Sequence, residues 1–128
     1  MKLQDKIAVI TGAGKGIGRA AALAAAREGA TIVAVARTQA DLDETVAMIQ
    51  ADGGRAISLS RDLTCGEEVC SLVDTVLEKF GRIDILVNNA GGYPKEIYEG
   101  REHQAIRLWE WSEGQWDQII RTNLRIPF

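Results

Sequence analysis

With 128 residues, 46% of them hydrophobic, the chain can build one sizeable core but not two, so a single domain over 1–128 is expected. The net charge of −3 is spread over interspersed acids and bases and gives no electrostatic footprint for nucleic acid or an anionic membrane surface. No apolar run approaches the roughly eighteen residues of a membrane span, and the opening MKLQDKIAVI lacks the apolar core and cleavage site of a signal peptide, so a cytoplasmic location and small-molecule partners are expected.

Strand and helix patterns alternate along the chain. Residues 7–11 form a short β-branched run that meets the glycines of TGAGKGIG, followed by an alanine-rich helical stretch over about 16–28 that Gly29 closes. Residues 31–36 read as the next strand. Thr38 then caps a helix in which Leu42, Val46 and Ile49 recur at i, i+4 and i+7, until Asp52-Gly53-Gly54 stops it. Residues 56–60 form a third strand. Thr64 and Glu67 have capping-box spacing ahead of an amphipathic stripe of Val69, Leu72, Val73, Val76, Leu77 and Phe80, which Gly81 ends. Residues 84–88 form a fourth strand. Cys65 and Cys70 are too few for a disulfide framework and, on a helix, point about 140° apart, so both are expected as reduced thiols.

This alternation predicts right-handed βαβ crossovers and a doubly wound α/β fold with a parallel sheet covered on both faces. Residues 92–111, mixed in charge and aromatic, read as a long loop. His103, the only histidine, has no second ligand nearby and reads as a surface residue, while Trp109 and Trp111 could be packing or a substrate wall. Ser112 and Gln115 have the spacing of a second capping box, opening a last helix on which Trp116, Ile119, Ile120 and Leu124 share one stripe with Asn123. A polar amide thus stands among core positions. Pro127 could end that helix by itself.

In TGAGKGIG the glycines recur at positions 12, 14, 16 and 18, which does not fit G-x-G-x-x-G, and Lys15 precedes Gly16 rather than the Ser or Thr of a P-loop. Between a strand and a helix such a turn faces unpaired N–H groups toward an anion, usually a pyrophosphate; a tight turn without ligand is the alternative. Twenty residues past Gly16, where a dinucleotide site presents an acid to the adenosine ribose, the chain has Ala36 and then Arg37. With no carboxylate there and Lys15 and Arg37 in reach, the charges favour NADP over NAD, unless Arg37 is an ordinary solvated cation.

Together these residues resemble the short-chain dehydrogenase/reductase family. TGAGKGIG fits its T-G-x-x-x-G-x-G loop, and the match continues in Asp62-Leu63, in NNAG at 88–91, and in Trp116-Asp117 followed by Asn123. The resemblance runs in the family's order over essentially the whole chain, with a longer loop at 92–111. It implies a Rossmann-type sheet ordered 3-2-1-4, whose loops after strands one and four flank the point where a cofactor crosses. It also implies that Gly12, Gly16, Ile17 and Gly18 line the pyrophosphate and that Lys15 and Arg37 meet the 2′-phosphate. Asp62 and Leu63 would contact the adenine, and Asn89, Ala90 and Gly91 the two riboses. The alternative is that Asp62 serves only as a backbone acceptor where the strand turns into the helix.

The activity implied is hydride transfer between a nicotinamide and an alcohol or carbonyl, with an Asn, a Ser and a Tyr-x-x-x-Lys pair sharing the proton chemistry. Asn123 matches the asparagine, which in the family holds a water. Tyr93 and Tyr98 are followed four residues on by Ile97 and Glu102, and Ser112 precedes Asn123, so the other members are expected beyond Phe128. The expected entity is a cofactor-binding half, with a non-catalytic nucleotide-binding or interaction module as the alternative. Its strand at 84–89 would be an open, apolar edge and a route to self-association.

Overall fold

The computed structural model describes residues 1–93 and 107–128. They fall into two compact units, Met1–Ala90 and Gly91–Phe128. In the first, β1 (Ile7–Thr11), α1 (Gly16–Arg27), β2 (Thr31–Ala36), α2 (Gln39–Ala51), β3 (Arg55–Ser60), α3 (Gly66–Phe80) and β4 (Ile85–Val87) alternate as the sequence predicts. All four strands are parallel, in the order β3-β2-β1-β4, with Ile7 opposite Thr31, Thr31 opposite Arg55 and Ala8 opposite Ile85.

The period of two along β1 and β2 sorts side chains between two layers. Ala8, Ile10, Ile32 and Ala34 pack with Ala22, Ala26, Leu42 and Ile49, which places α1 and α2 on one face. Ile7, Val9, Val33 and Val35 pack with Leu72 and Val76 of α3 on the other. The first layer is rich in alanine, so those helices can lie close to the sheet; the second is filled by β-branched side chains under a single helix. Ile10, Ile32, Leu42 and Val76 are fully buried, each worth about 1.5–3 kcal/mol of transfer free energy.

Element boundaries depart from the sequence reading in three places. β4 spans three residues because Asp84 turns its carboxylate onto the start of β1, with Oδ2 accepting from the Ile7 amide at 2.8 Å. Thr64 does not cap α3; its hydroxyl donates to Asp62 Oδ1 at 2.7 Å, and Cys65 holds the N-cap position without a side-chain bond. Thr38 is the N-cap of α2 but its hydroxyl makes no cap bond. Gly81 ends α3 in the left-handed conformation expected of it, at φ 73°.

The second unit contains a 3₁₀ turn at Leu108–Glu110, α4 at Glu113–Ile120 and a π-helical segment at Arg121–Arg125. Both halves of the Ser112–Gln115 capping box form. The expected single apolar stripe does not: the helix widens to a π turn after Ile120, which shifts the register of the last residues, and none of its side chains is buried. Trp116 is 48% and Leu124 64% exposed. Tyr98, His103 and the middle of the 92–111 stretch lie outside the described residues.

Candidate functional site

The loop between β1 and α1 is built so that only glycine fits at its closest approach. Gly12 has φ 67°, and a Cβ there would lie 2.8 Å from Asn89 Nδ2. A Cβ at Gly18 would collide with the Gly12 carbonyl oxygen and come within 2.5 Å of the same amide nitrogen. Gly16 has open space around it but φ 53°, so its need is conformational. Lys15 is the N-cap of α1 with no side-chain cap bond, and Ile17 in the first turn is 81% exposed. The amides at the start of α1 therefore have no capping side chain, an arrangement suited to an anion.

Three residues without a role in the sequence reading hold this loop. The Thr11 hydroxyl donates to the Val87 carbonyl (3.2 Å) and accepts from the amides of Asn89 (3.0 Å) and Ala90 (2.9 Å), stitching the ends of β1 and β4. Asn89 Nδ2 in turn donates to the Thr11 carbonyl at 3.1 Å. Beneath the turn, Arg19 donates from Nε to the Gly14 carbonyl (3.0 Å) and to the Thr45 hydroxyl (3.0 Å), and pairs with Glu44 at 2.8 Å. Thr45, fully buried, donates to the Ala13 carbonyl at 3.0 Å. The signal was legible for Thr11, the threonine of the quoted T-G-x-x-x-G-x-G pattern. For Arg19 and Thr45, 26 residues apart, no spacing rule applies.

Of the two cations assigned to a phosphate, Arg37 lies exposed just past β2 and makes no ion pair among the described residues. Lys15 instead pairs with Asp41 at 3.2 Å. Asp62, in the turn after β3, accepts the Thr64 hydroxyl (2.7 Å) and amide (3.0 Å) on Oδ1, and these bonds, with a smaller contribution from the Arg37 charge, hold its carboxyl below the usual aspartate range. The backbone-acceptor role is thus occupied on one oxygen. Leu63 packs partly buried against the α3-side core.

In the second unit, Asn123 sits within the π segment and is exposed. Its Oδ1 accepts from the Gly92 amide (2.8 Å), and Nδ2 donates to the carbonyls of Gly92 (2.9 Å) and Ile119 (3.1 Å). Gly91 lies so close that a Cβ would be 2.8 Å from Asn123 Oδ1. Both amide donors are used, which leaves one lone pair of Oδ1 for a water. No group of three His, Cys, Asp or Glu suited to a metal occurs among the described residues, and none of the described helices is long and apolar enough to cross a membrane.

A family model described as short chain dehydrogenase matches residues 6–128. A short-chain reductase protein of Streptomyces niveus, NovJ, is 38% identical over 121 residues, covering 94% of this chain and 42% of that protein. Among solved structures, the citronellol catabolism dehydrogenase AtuB of Pseudomonas aeruginosa superposes with a TM-score of 0.84 at 34% identity, over 99% of this chain and 48% of that one. A metagenomic short-chain oxidoreductase in complex with NADP gives a TM-score of 0.83 at 34% identity, over 99% of this chain and 53% of that one. The chain thus spans about half the length of the relatives it matches.

Proposed function

We propose, on the premise that this chain belongs to the short-chain dehydrogenase/reductase family, that it is the nucleotide-binding part of an oxidoreductase moving a hydride between NADP and an alcohol or carbonyl substrate. The observation that carries the reading is the glycine turn, where Gly12, Gly18 and Asn89 approach so closely that the uncapped start of α1 is left open to a pyrophosphate.

The preference for NADP over NAD rests on Arg37. β2 ends at Ala36 with no carboxylate, and the guanidinium beyond it is uncommitted among the described residues. Lys15 contributes less than its position suggests, since reaching a 2′-phosphate means leaving Asp41. Asp62-Leu63 would meet the adenine, and Asn89-Ala90 and Gly91 the riboses. The nicotinamide supplies hydride chemistry when bound; Asn123 would hold a water through its remaining Oδ1 lone pair. Calorimetric titration of the chain with NADPH and NADH tests this, with tighter NADPH binding expected and a loss of that preference in Arg37→Ala. Tighter NADH binding would overturn the NADP assignment, and no binding of either would overturn the nucleotide reading.

A second reading is supported by the exposed face of β4. This strand is an edge of the four-stranded sheet, and Leu86 on it is 57% exposed, so the chain could associate with a second copy or another protein through 84–89. Light scattering is expected to give a mass above the monomer that Leu86→Lys reduces; a monomer at all concentrations would remove this reading.

A further inference from the structure

Along the chain, the end of β2 has no acid, since Ala36 and Arg37 stand where a dinucleotide site presents a carboxylate to the adenosine ribose. The fold brings one there from another element. Asp41 lies in the first turn of α2, which opens at Gln39 shortly after β2 ends. A Cβ built on Gly14 would lie 3.0 Å from the Asp41 Cβ and 3.6 Å from the Ala36 Cβ, so the glycine turn, the end of β2 and the start of α2 meet at this point. The missing side chain of Gly14 lets Asp41 come this close.

Asp41 is fixed, and its partner is not. The Asp41 carbonyl accepts from the Arg19 guanidinium at 3.3 Å, and the same guanidinium holds the Gly14 carbonyl and the Glu44 carboxylate. The Asp41 side chain is 24% exposed, whereas that of Lys15, with which it pairs at 3.2 Å, is 75% exposed. The carboxylate therefore stands in place beside the turn, and the lysine is the member that can swing away. Glu44, one helical turn on, is already taken by Arg19 at 2.8 Å.

We infer that Asp41 is a specificity-determining residue that works against the 2′-phosphate: it holds Lys15 in an ion pair that NADP must open and NAD need not. The inference rests on the nucleotide reading above and adds to it a restraint on cofactor choice. NAD has a ribose hydroxyl where NADP has the phosphate, and a hydroxyl carries no charge for the lysine to follow. The phosphate draws Lys15 and is repelled by Asp41, so one acid offsets part of the discrimination that Arg37 provides. An exposed ion pair is a small term, so the restraint tunes affinity by up to about fivefold and does not block the phosphate.

Calorimetric titration of the chain with NADPH, NADH, 2′,5′-ADP and 5′-AMP tests this. In Asp41→Asn, the two ligands carrying a 2′-phosphate are expected to bind about three- to fivefold tighter, while NADH and 5′-AMP change by less than about twofold. Lys15→Met/Asp41→Asn is expected to lose that gain, because no freed cation remains. Thermal melts followed by circular dichroism establish that each variant is folded, and Asp41→Ser replaces the asparagine variant should that one fail. An unchanged NADPH affinity in the folded variant, an equal gain for NADH, or a gain of the same size when Asp41→Asn is added to Lys15→Met overturns the inference and leaves the nucleotide reading standing. Binding of neither NADPH nor NADH by the parent chain overturns both.

Discussion

The helices of the two units are held by opposite means. α1, α2 and α3 each begin without a side-chain cap bond, yet each buries residues: Ala22 and Ala26, Leu42 and Ile49, Leu72 and Val76. α4 buries none but carries a complete capping box. Tertiary packing of an apolar face outweighs a cap of about 1 kcal/mol, so a packed helix can leave its first amides open, and α1 uses that freedom to face an anion. A helix without such packing depends on local terms, and α4 has gathered them.

The largest expected effect separates the units by core. Leu42→Ala should lower the stability of the first unit by about 2–5 kcal/mol in urea denaturation followed by circular dichroism, because the site is fully buried between α2 and the sheet. Ile120→Ala, at a position 36% exposed, should change it by no more than about 0.5 kcal/mol. A comparable loss from both would mean that α4 is packed in solution and the contrast is false. Next, Gly18→Ala should cost about 1–3 kcal/mol, since its methyl would meet the Gly12 carbonyl and the Asn89 amide, and nucleotide binding should fall with it. Ordinary stability and NADPH affinity in that variant would remove the close approach on which the site is built.

Caps give a smaller and sharper comparison. Ser112→Ala should reduce the helix content of the second unit and cost about 1 kcal/mol, whereas Thr38→Ala, at an N-cap position with no side-chain bond, should cost nearly nothing. Amide hydrogen exchange in the first turns of α4 and α2 distinguishes the two outcomes. Equal protection losses would show that cap geometry is not what holds α4.

How legible each part was follows from the range of the interactions. The alternation of strands and helices and the glycine turn could be read because period, β-branched runs and glycine spacing are local signals, whereas the 3-2-1-4 order followed from the family resemblance. The Ser112–Gln115 box was readable for the same reason, with both partners three residues apart. Thr64 misled because the hydroxyl that suits a capping box was claimed by Asp62, two residues back. The π turn at Asn123 carries no periodic signature, so its side chain was placed in a buried stripe when it bonds Gly92, 31 residues away. Arg19, Thr45 and the Lys15–Asp41 pair became visible only once α1 and α2 were set side by side.

Acid offers the last and smallest test of the same contrast. Among the described residues, the carboxyls held below the usual aspartate range are Asp84, chiefly by the Ile7 amide and then by Arg82 and Lys6, and Asp62, chiefly by the Thr64 hydroxyl and amide; both lie in the first unit. A carboxyl whose pKa is depressed on folding binds its proton more readily in the unfolded chain. Its stabilising contribution is therefore complete above the ordinary aspartate value of about 3.9 and is lost as pH falls through the lower folded value. Asp84→Asn should be less stable than the parent chain above about pH 5, and the difference should shrink as pH drops below about 4. The fraying of α4, followed by amide exchange across the same range, should change little with that substitution. A gap between variant and parent that stays constant through the acid range would mean that the bond closing β1 onto Asp84 does not depend on the carboxylate charge.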